Sequence, residues 1–141
     1  MKKFELTTET KICDGRTLYR IKALESFGGV CAGDLGGWVE KEKNLSHGGD
    51  AWVYGDARVY GDARVSRDEH VMWISRIGSR NGTTTFFATK TGIYVNCGCF
   101  SGSLEAFAAA VDKNHGDSEH GKAYRLAIEI AKLRIKLPEE E

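Results

Sequence analysis

This sequence has very little proline and no excess of positive or negative charge. Pro138 is the only proline in 141 residues, whereas glycine occurs 17 times. Because glycine adopts positive φ without breaking backbone hydrogen bonding, this combination predicts many tight turns within regular structure. Lysine plus arginine equals aspartate plus glutamate, at 20 each. The chain therefore has no net field that would attract nucleic acid or an acidic membrane.

Long apolar runs are also missing. The N-terminal segment MKKFELTTETK has none, and no stretch approaches the roughly 20 apolar residues that span a bilayer. We therefore expect no signal peptide, no membrane partner and a location in the cytosol. The four cysteines should then be reduced thiols, and no cofactor is expected. Zinc-finger spacing, basic runs, phosphate loops and dinucleotide glycine motifs are absent, so a nucleic-acid partner is unlikely on sequence grounds.

The clearest positive signal is a six-residue repeat between residues 49 and 66. GDAWVY, GDARVY and GDARVS follow one another without interruption. Self-similarity at a fixed period indicates a solenoid. The unit V-x-G-D-A-x gives two positions that we predict to face inward, with Gly-Asp at the corner. These positions are held by Val53, Val59 and Val65 and by Ala51, Ala57 and Ala63.

The same register predicts where the solenoid begins and ends. Upstream, Leu35, Val39 and Leu45 fit inward positions. Downstream, Glu69 falls on an inward position, and a buried glutamate is costly without a partner. The regular solenoid is therefore expected at about residues 35–66, and residues 67–70 should form its exit.

The flanking segments predict a β-hairpin before the repeats, and strands and helices after them. Asp14-Gly15 is a two-residue hairpin turn within residues 1–30, and Asn81-Gly82 marks another among the antiparallel strands of residues 71–100. Helical spacing then follows Ser103, a plausible N-cap, in two segments. The predicted fold is mainly β with C-terminal helices: a hairpin, a short hexapeptide β-helix, antiparallel strands and an αα-hairpin. We expect two parts, 1–70 and 71–141.

The repeats resemble the hexapeptide-repeat left-handed β-helix family, in which three hexads make one triangular coil. The whole chain also resembles a group of small phage and prophage proteins. The similar segments are GRTLYRIKAL, GDLGGWVEKEKNLS and CGCFSGSLEAFAAAVDKNHGDSEHGKAYRLAIEIAKLR. This resemblance implies a left-handed coil, phage or prophage origin, and threefold assembly. Accessory phage proteins of this size often counter host defence. That link is an association with the class of protein and does not follow from any property of these residues.

A coil of three hexads would place residues about 18 positions apart above one another. Arg58 would then lie over Glu40, and an ion pair between them is the alternative to a binding role for Arg58. The outward residues of the repeats are aromatic or arginine, as in interfaces and in sites that stack bases and hold phosphates. We predict that they form a binding surface, or else a subunit interface. The predicted binding residues are Trp52, Tyr54, Arg58, Tyr60 and Arg64.

Two kinds of chemistry compete with binding. Many hexapeptide-repeat proteins are acyltransferases with a histidine base, a part that His47 or His70 could take. About two coils give little surface for an acyl carrier, so we predict no enzymatic activity. The second is a metal site formed by Cys97, Cys99, His115 and His120. Their spacings do not match the paired zinc pattern, so we predict none.

The sequence therefore predicts a non-enzymatic binding protein of phage type that acts in the host cytosol. It would sequester a small nucleotide signal or block a host defence protein. The alternatives are an acyltransferase-like enzyme and a purely structural oligomerisation module. The protein itself should be a homo-oligomer, a trimer by the habit of the family, because two coils cannot bury the outward aromatic residues of positions 52–60.

Overall fold

The fold was derived from a computed structural model that describes residues 2–78, 80–98 and 100–137. Two four-stranded sheets come first along the chain, and two helices follow the second sheet. The predicted class, mainly β with C-terminal helices, is confirmed. Within the described residues, no helix combines the length and apolar character needed to cross a membrane.

The first sheet joins the N-terminal hairpin to the repeats. Its strands are β1 (Phe4–Cys13), β2 (Arg16–Ala23), β3 (Leu35–Val39) and β4 (Arg58–Val59). The predicted Asp14-Gly15 turn connects β1 to β2, and both of its residues adopt positive φ. Strand β3 lies antiparallel to β2 and parallel to β4, so it carries the hairpin on one side and the repeats on the other.

The second sheet is antiparallel throughout and supports the helices. Its strands are β5 (Val71–Ile77), β6 (Gly82–Ala88), β7 (Ile93–Cys97) and β8 (Phe100–Ser103). Helices α1 (Leu104–His115) and α2 (Glu119–Arg134) begin after Ser103 and Ser118, whose side chains accept hydrogen bonds from backbone amides of the first turn.

Alternation along β6 divides the core between two layers. Phe86 packs with α1 and α2, whereas Phe87 packs with the repeats. Val71, the first residue of β5, also belongs to the core of the repeats. The second sheet is therefore a shared wall between the repeats and the helices. The predicted division of the chain after residue 70 stays a prediction.

The two inward positions of the repeat are confirmed. All six valine and alanine side chains at these positions are buried, at 2% exposure or less. They form one apolar cluster with residues of the hairpin and with Phe87 of β6. The members of the set are Ala51, Val53, Ala57, Val59, Ala63 and Val65.

The predicted stacking of residues 18 positions apart is wrong. Val39 lies beside Val59, and Leu45 lies beside Val65, so paired residues are 20 positions apart. The reason is visible in the spacing: Leu45 and Val53 are eight positions apart, whereas Val53, Val59 and Val65 follow every six. The two extra residues between Leu45 and Val53 shift the repeat register of all upstream residues by two positions. As a result Leu35, predicted to face inward, is 57% exposed.

We expect Val59→Ala to lower the free energy of unfolding by about 1–3 kcal/mol, because it leaves a void in a fully buried cluster. The control is Arg64→Ala in the next repeat, whose side chain is exposed and should change the free energy by no more than about 0.5 kcal/mol. Urea melts of the two variants measure both values. Equal losses would contradict the inward assignment of the valine position.

The expectation of an oligomer relied on outward aromatic residues at positions 52–60. Contacts within the single chain already bury Trp52 and Tyr60, so these two residues do not provide a reason for an oligomer. A different surface bears on self-association. Helix α2 buries one apolar stripe but exposes a second, formed by Leu126, Ile130 and Leu133 at spacings of four and three. An exposed apolar stripe of this kind is typical of an interaction surface. The homo-oligomer, as a trimer, stays a prediction.

Leu133→Lys places a charge in that stripe, at a position where the leucine is 74% exposed. If the chain associates through α2, the variant should elute and scatter light as a single chain while the wild type is larger. The control is Lys132→Ala, beside the stripe on an exposed position. A wild-type protein that is monomeric at micromolar concentration would contradict the prediction of a homo-oligomer.

Candidate functional site

The five predicted binding residues do not share one surface. Trp52 and Tyr60 were expected to point outward, but they are only 3% and 1% exposed. The repeats are covered on one side by the hairpin and on another by the second sheet, and these layers bury both rings. Tyr54 and Arg64 remain exposed, and Arg58 is half-buried. The expectation of outward exposure is therefore wrong for Trp52 and Tyr60, whereas the binding role of the five residues stays a prediction.

Arg58 also lacks the partner predicted for it. Its backbone amide donates a hydrogen bond to Thr85 Oγ1 at 3.1 Å, and its guanidinium lies 3.6 Å from the Cys13 sulfur. Glu40 pairs with Arg16 instead, with Nη1 2.9 Å from Oε1. The 20-residue offset causes this exchange, because it sets Arg58 beside Trp38 rather than beside Glu40.

Clefts in the described part of the chain lie beside the repeats and the second sheet, and three of them bear on the predicted residues. The first, which we call the polar cleft, has a volume of about 310 Å³ and lies between the repeats and the second sheet. It is lined by Arg16, Lys41, Tyr60, Gly61, Asp62, Phe87, Thr89, Thr91 and Tyr94. Of the predicted binding residues, Tyr60 alone lines it.

Tyr60 forms the floor of the polar cleft. Its ring meets Phe87 and Tyr94 edge-on, at centroid distances of 5.3 and 6.0 Å. Its hydroxyl pairs with the Ser101 hydroxyl at 2.5 Å. Burial raises the pKa of Tyr60 to about 12, although the hydrogen bond to Ser101 opposes that shift. The phenol is therefore neutral at physiological pH, and its ring forms a fixed floor of the cleft.

Arg16 is held in place over this floor. Glu40 accepts hydrogen bonds from its guanidinium and, through Oε1, from the Gly61 amide at 2.9 Å. The Arg16 Cζ atom lies 5.5 Å from the centroid of the Tyr60 ring, within cation–π range. An arginine fixed by a carboxylate and a ring keeps its remaining N–H groups for a ligand.

Asn44 fixes the backbone on both sides of the polar cleft. It is fully buried, in the 3₁₀ turn Glu42–Asn44. Its Oδ1 accepts hydrogen bonds from the amides of Glu40 and Lys41, and its Nδ2 donates to the carbonyls of Gly61 and Ala63. One side chain therefore sets the distance between Lys41 and the repeat corner at Gly61, which together form one wall of the cleft.

The second cleft, the aromatic cleft, holds the other two predicted aromatic residues. It has a volume of about 350 Å³ and is lined by Gly28, Asp50, Trp52, Tyr54, Asp68, Val71 and Trp73. The rings of Tyr54 and Trp73 lie 5.6 Å apart at a tilt of 36°. The predicted surface is thus divided between two clefts, with Tyr60 in one and Trp52 and Tyr54 in the other.

The third cleft, the apolar cleft, lies between the second sheet and the helices and has a volume of about 330 Å³. It is lined by Ile77, Arg80, Gly82, Thr83, Thr84, Cys97, Gly98, Phe100, Phe107, Ala110, Val111, Asn114, His115 and Tyr124. None of the five predicted binding residues lines it. Cys97 and His115, which the sequence suggested as candidate metal ligands, both do.

Neither histidine proposed as an acyl-transfer base lines any of these clefts. His47 stacks on Phe4, and its Nδ1 accepts a hydrogen bond from the Lys3 amide. His70 is buried, and its Nδ1 accepts a hydrogen bond from the Ser66 amide at 3.1 Å. Burial, together with the nearby Arg67 charge, lowers the pKa of His70.

The metal hypothesis gains no support from the residues that the structure describes. Among them, no group of three or more histidine, cysteine, aspartate or glutamate side chains could hold a metal ion. His115 and His120 are neighbours, with ring centroids 6.2 Å apart. Cys97 instead contacts Thr84 and Tyr124. Cys99 lies outside the described residues.

No family model, no curated protein and no solved structure matches this chain. The fold and the site therefore define the class by their own geometry: a mainly β chain whose two C-terminal helices cover one face of its second sheet, with clefts on both sides of that sheet.

Reasoning from sequence missed most of the polar cleft. Arg16 follows the hairpin turn and Tyr94 lies in the second sheet, so neither is close to Tyr60 along the chain. Lys41 and His47 both fall on inward positions when the six-residue register is extended upstream without a shift, but only Lys41 lines the cleft. A charged residue that interrupts an apolar register indicates either the end of the repeat or a functional position.

The pKa of His70 has a consequence for stability at acidic pH. Because the folded state lowers this pKa below about 6.5, the unfolded state binds the proton more tightly, and stability falls as the pH drops below that value. His70→Asn keeps an acceptor for the Ser66 amide but cannot be protonated. We expect its melting temperature to fall less than that of the wild type between pH 7 and pH 5.

The control for this prediction is His120→Asn, at an exposed position near the start of α2. It should follow the wild-type pH profile. Thermal melts at several pH values, monitored by circular dichroism, measure the slopes. An unchanged slope in His70→Asn would mean that other groups cause the acid sensitivity.

Proposed function

We propose that this protein binds a small nucleotide in the polar cleft and acts by sequestering it, without catalysing a reaction. One observation carries the proposal: the cleft brings Arg16 and Lys41 together with tyrosine rings and two threonine hydroxyls. Cations, aromatic faces and hydroxyl groups are the three kinds of partner that phosphates, bases and sugars use.

Each part of a nucleotide has a partner of matching chemistry in this cleft. Phosphate oxygens would accept hydrogen bonds from Arg16 and Lys41, of which Arg16 is already oriented by Glu40. The Asp62 carboxylate suits a ribose hydroxyl, which donates a hydrogen bond where a phosphate could not. The half-buried ring of Tyr94 offers a surface for the base.

The positions of the two candidate bases favour binding over acyl transfer. An acyltransferase needs a proton acceptor beside the reacting hydroxyl, and His47 and His70 are both engaged elsewhere by backbone amides. Neither side chain lines one of the three clefts. Loss of either histidine should therefore leave nucleotide binding unchanged.

The biological setting of the proposal comes from the resemblance to phage and prophage proteins. In that setting the protein would act in the host cytosol and remove a nucleotide signal used in defence. The repeats would form a left-handed β-helix whose coils present the corner residues to the cleft. Blocking of a host defence protein and a purely structural role remain the competing interpretations, and both predict no nucleotide affinity.

Calorimetry and thermal shift with ADP, cyclic di-AMP and cyclic di-GMP test the proposal. We expect at least one nucleotide to raise the melting temperature, since a ligand that binds only the folded state stabilises it. Lys41→Glu reverses a charge that lines the cleft and should weaken the affinity at least about tenfold, because a charge-assisted phosphate contact is lost.

The matched control is Lys43→Glu, which makes the same charge change two residues away on an exposed position that does not line the cleft. It should bind as the wild type does. If none of the three nucleotides binds, or if the two lysine variants weaken binding equally, the polar cleft is not a nucleotide site. Phage protection by the same variants would then separate the remaining interpretations.

A further inference from the structure

The apolar cleft lies on the face of the second sheet opposite the polar cleft. Phe86 and Val95 face the helices beside it, whereas Phe87 faces the repeats. Nothing in the proposed nucleotide site therefore accounts for a second cavity of about 330 Å³. That volume lies within the range of small-molecule sites.

The interior of the apolar cleft is walled by aromatic rings. Phe107 meets Phe100 at a centroid distance of 5.4 Å and Tyr124 at 5.5 Å. Val111 of α1 and Ile77 of β5 add aliphatic surface. A ligand that binds in this space must have an apolar part, because burial of apolar surface against these walls is energetically favourable.

Three polar groups inside the cleft are joined by hydrogen bonds. The Thr84 hydroxyl donates a hydrogen bond to the Cys97 sulfur at 3.3 Å, and the Cys97 thiol donates to the Tyr124 hydroxyl at 3.5 Å. Burial, reinforced by the contact with Cys97, raises the pKa of Tyr124, so its phenol is neutral at physiological pH. The interior of the cleft therefore carries no charge.

The charged lining residues are of one sign. Arg80 contributes a permanent cation and His115 a second basic group, while Asn114 adds an amide. Among the described residues that line the cleft there is no aspartate or glutamate, and no described carboxylate lies within 4 Å of the Arg80 guanidinium. A neutral apolar interior thus lies beside an arginine that has no ion-pair partner in the described part of the chain.

We propose that the apolar cleft binds a small amphipathic carboxylic acid, with its apolar body against the rings of Phe100 and Phe107 and its carboxylate at Arg80. A carboxylate suits the site because the planar guanidinium binds it with two parallel hydrogen bonds. The apolar body replaces water against the aromatic walls, and the ion pair at Arg80 gives the ligand its orientation. This site is independent of the nucleotide cleft.

Decanoate is the probe, and 1-decanol is its neutral counterpart. Calorimetry should show one decanoate per chain. Arg80→Gln should weaken decanoate at least about tenfold, because the charge-assisted pair is lost, and should leave 1-decanol within about twofold. The charge control is Lys113→Gln on α1, exposed and outside the cleft lining, which should bind decanoate as the wild type does.

Filling the cleft gives a second, charge-independent test. Ala110→Trp places a large ring into the cavity and should abolish binding of both probes, whereas Ala109→Trp adds the same ring at an exposed position of α1 and should not. Should Ala110→Trp fail to fold, Ala110→Leu makes the same comparison with less bulk. Circular dichroism checks the fold of each variant.

Several outcomes would overturn the proposal. They are no decanoate binding by the wild type, several molecules bound per chain, equal loss with Arg80→Gln and Lys113→Gln, and retained binding in a folded Ala110 variant. Titrations of the same variants with ADP, cyclic di-AMP and cyclic di-GMP separate the two sites, because changes in the apolar cleft should leave nucleotide binding in the polar cleft at its wild-type level. Failure at one cleft therefore leaves the proposal for the other cleft standing.

Discussion

The close parallel contact between β3 and the repeats is the constraint on which the other layers depend. A Cβ atom at Gly37 would lie 2.5 Å from the Ala57 carbonyl oxygen, and one at Gly36 would lie 2.6 Å from that of Val53. Two successive glycines are therefore required for the backbones to meet. Asn44 closes the far end of the same contact through four hydrogen bonds. The hairpin, the repeats and one wall of the polar cleft are all positioned by this contact.

The second sheet then decides how the molecule divides its cavities. Because side chains alternate along a strand, neighbouring residues of β6 serve different layers, with Phe86 toward the helices and Phe87 toward the repeats. The polar cleft and the apolar cleft consequently lie on opposite faces of one sheet and share no lining residue. One sheet therefore separates a cleft that contains Arg16, Lys41 and Asp62 from a cleft lined mainly by aromatic and aliphatic side chains.

Local patterns in the sequence were sufficient for the N-terminal hairpin, the two helices and the inward face of the repeat, but not for the fourth strand of the second sheet. Asp14-Gly15 turns as predicted because the pair tolerates positive φ, and the valines of the repeat are buried because every sixth residue returns to the same position. The distance along the chain between paired residues was not predictable from the repeat alone, since two extra residues between Leu45 and Val53 lengthen it from 18 to 20 positions. Because paired residues are 20 rather than 18 positions apart, Arg58 lies beside Trp38 and not beside Glu40.

What the sequence by itself determined is the order of the main segments, the two inward positions of the repeat and the N-cap of the first helix, because each depends on residues within a few positions of one another. Only the tertiary structure decided which outward residues stay exposed. Trp52 is covered by the hairpin and Tyr60 by the second sheet, and both layers come from distant parts of the chain. Periodicity tells which way a side chain points, but burial depends on what packs against it.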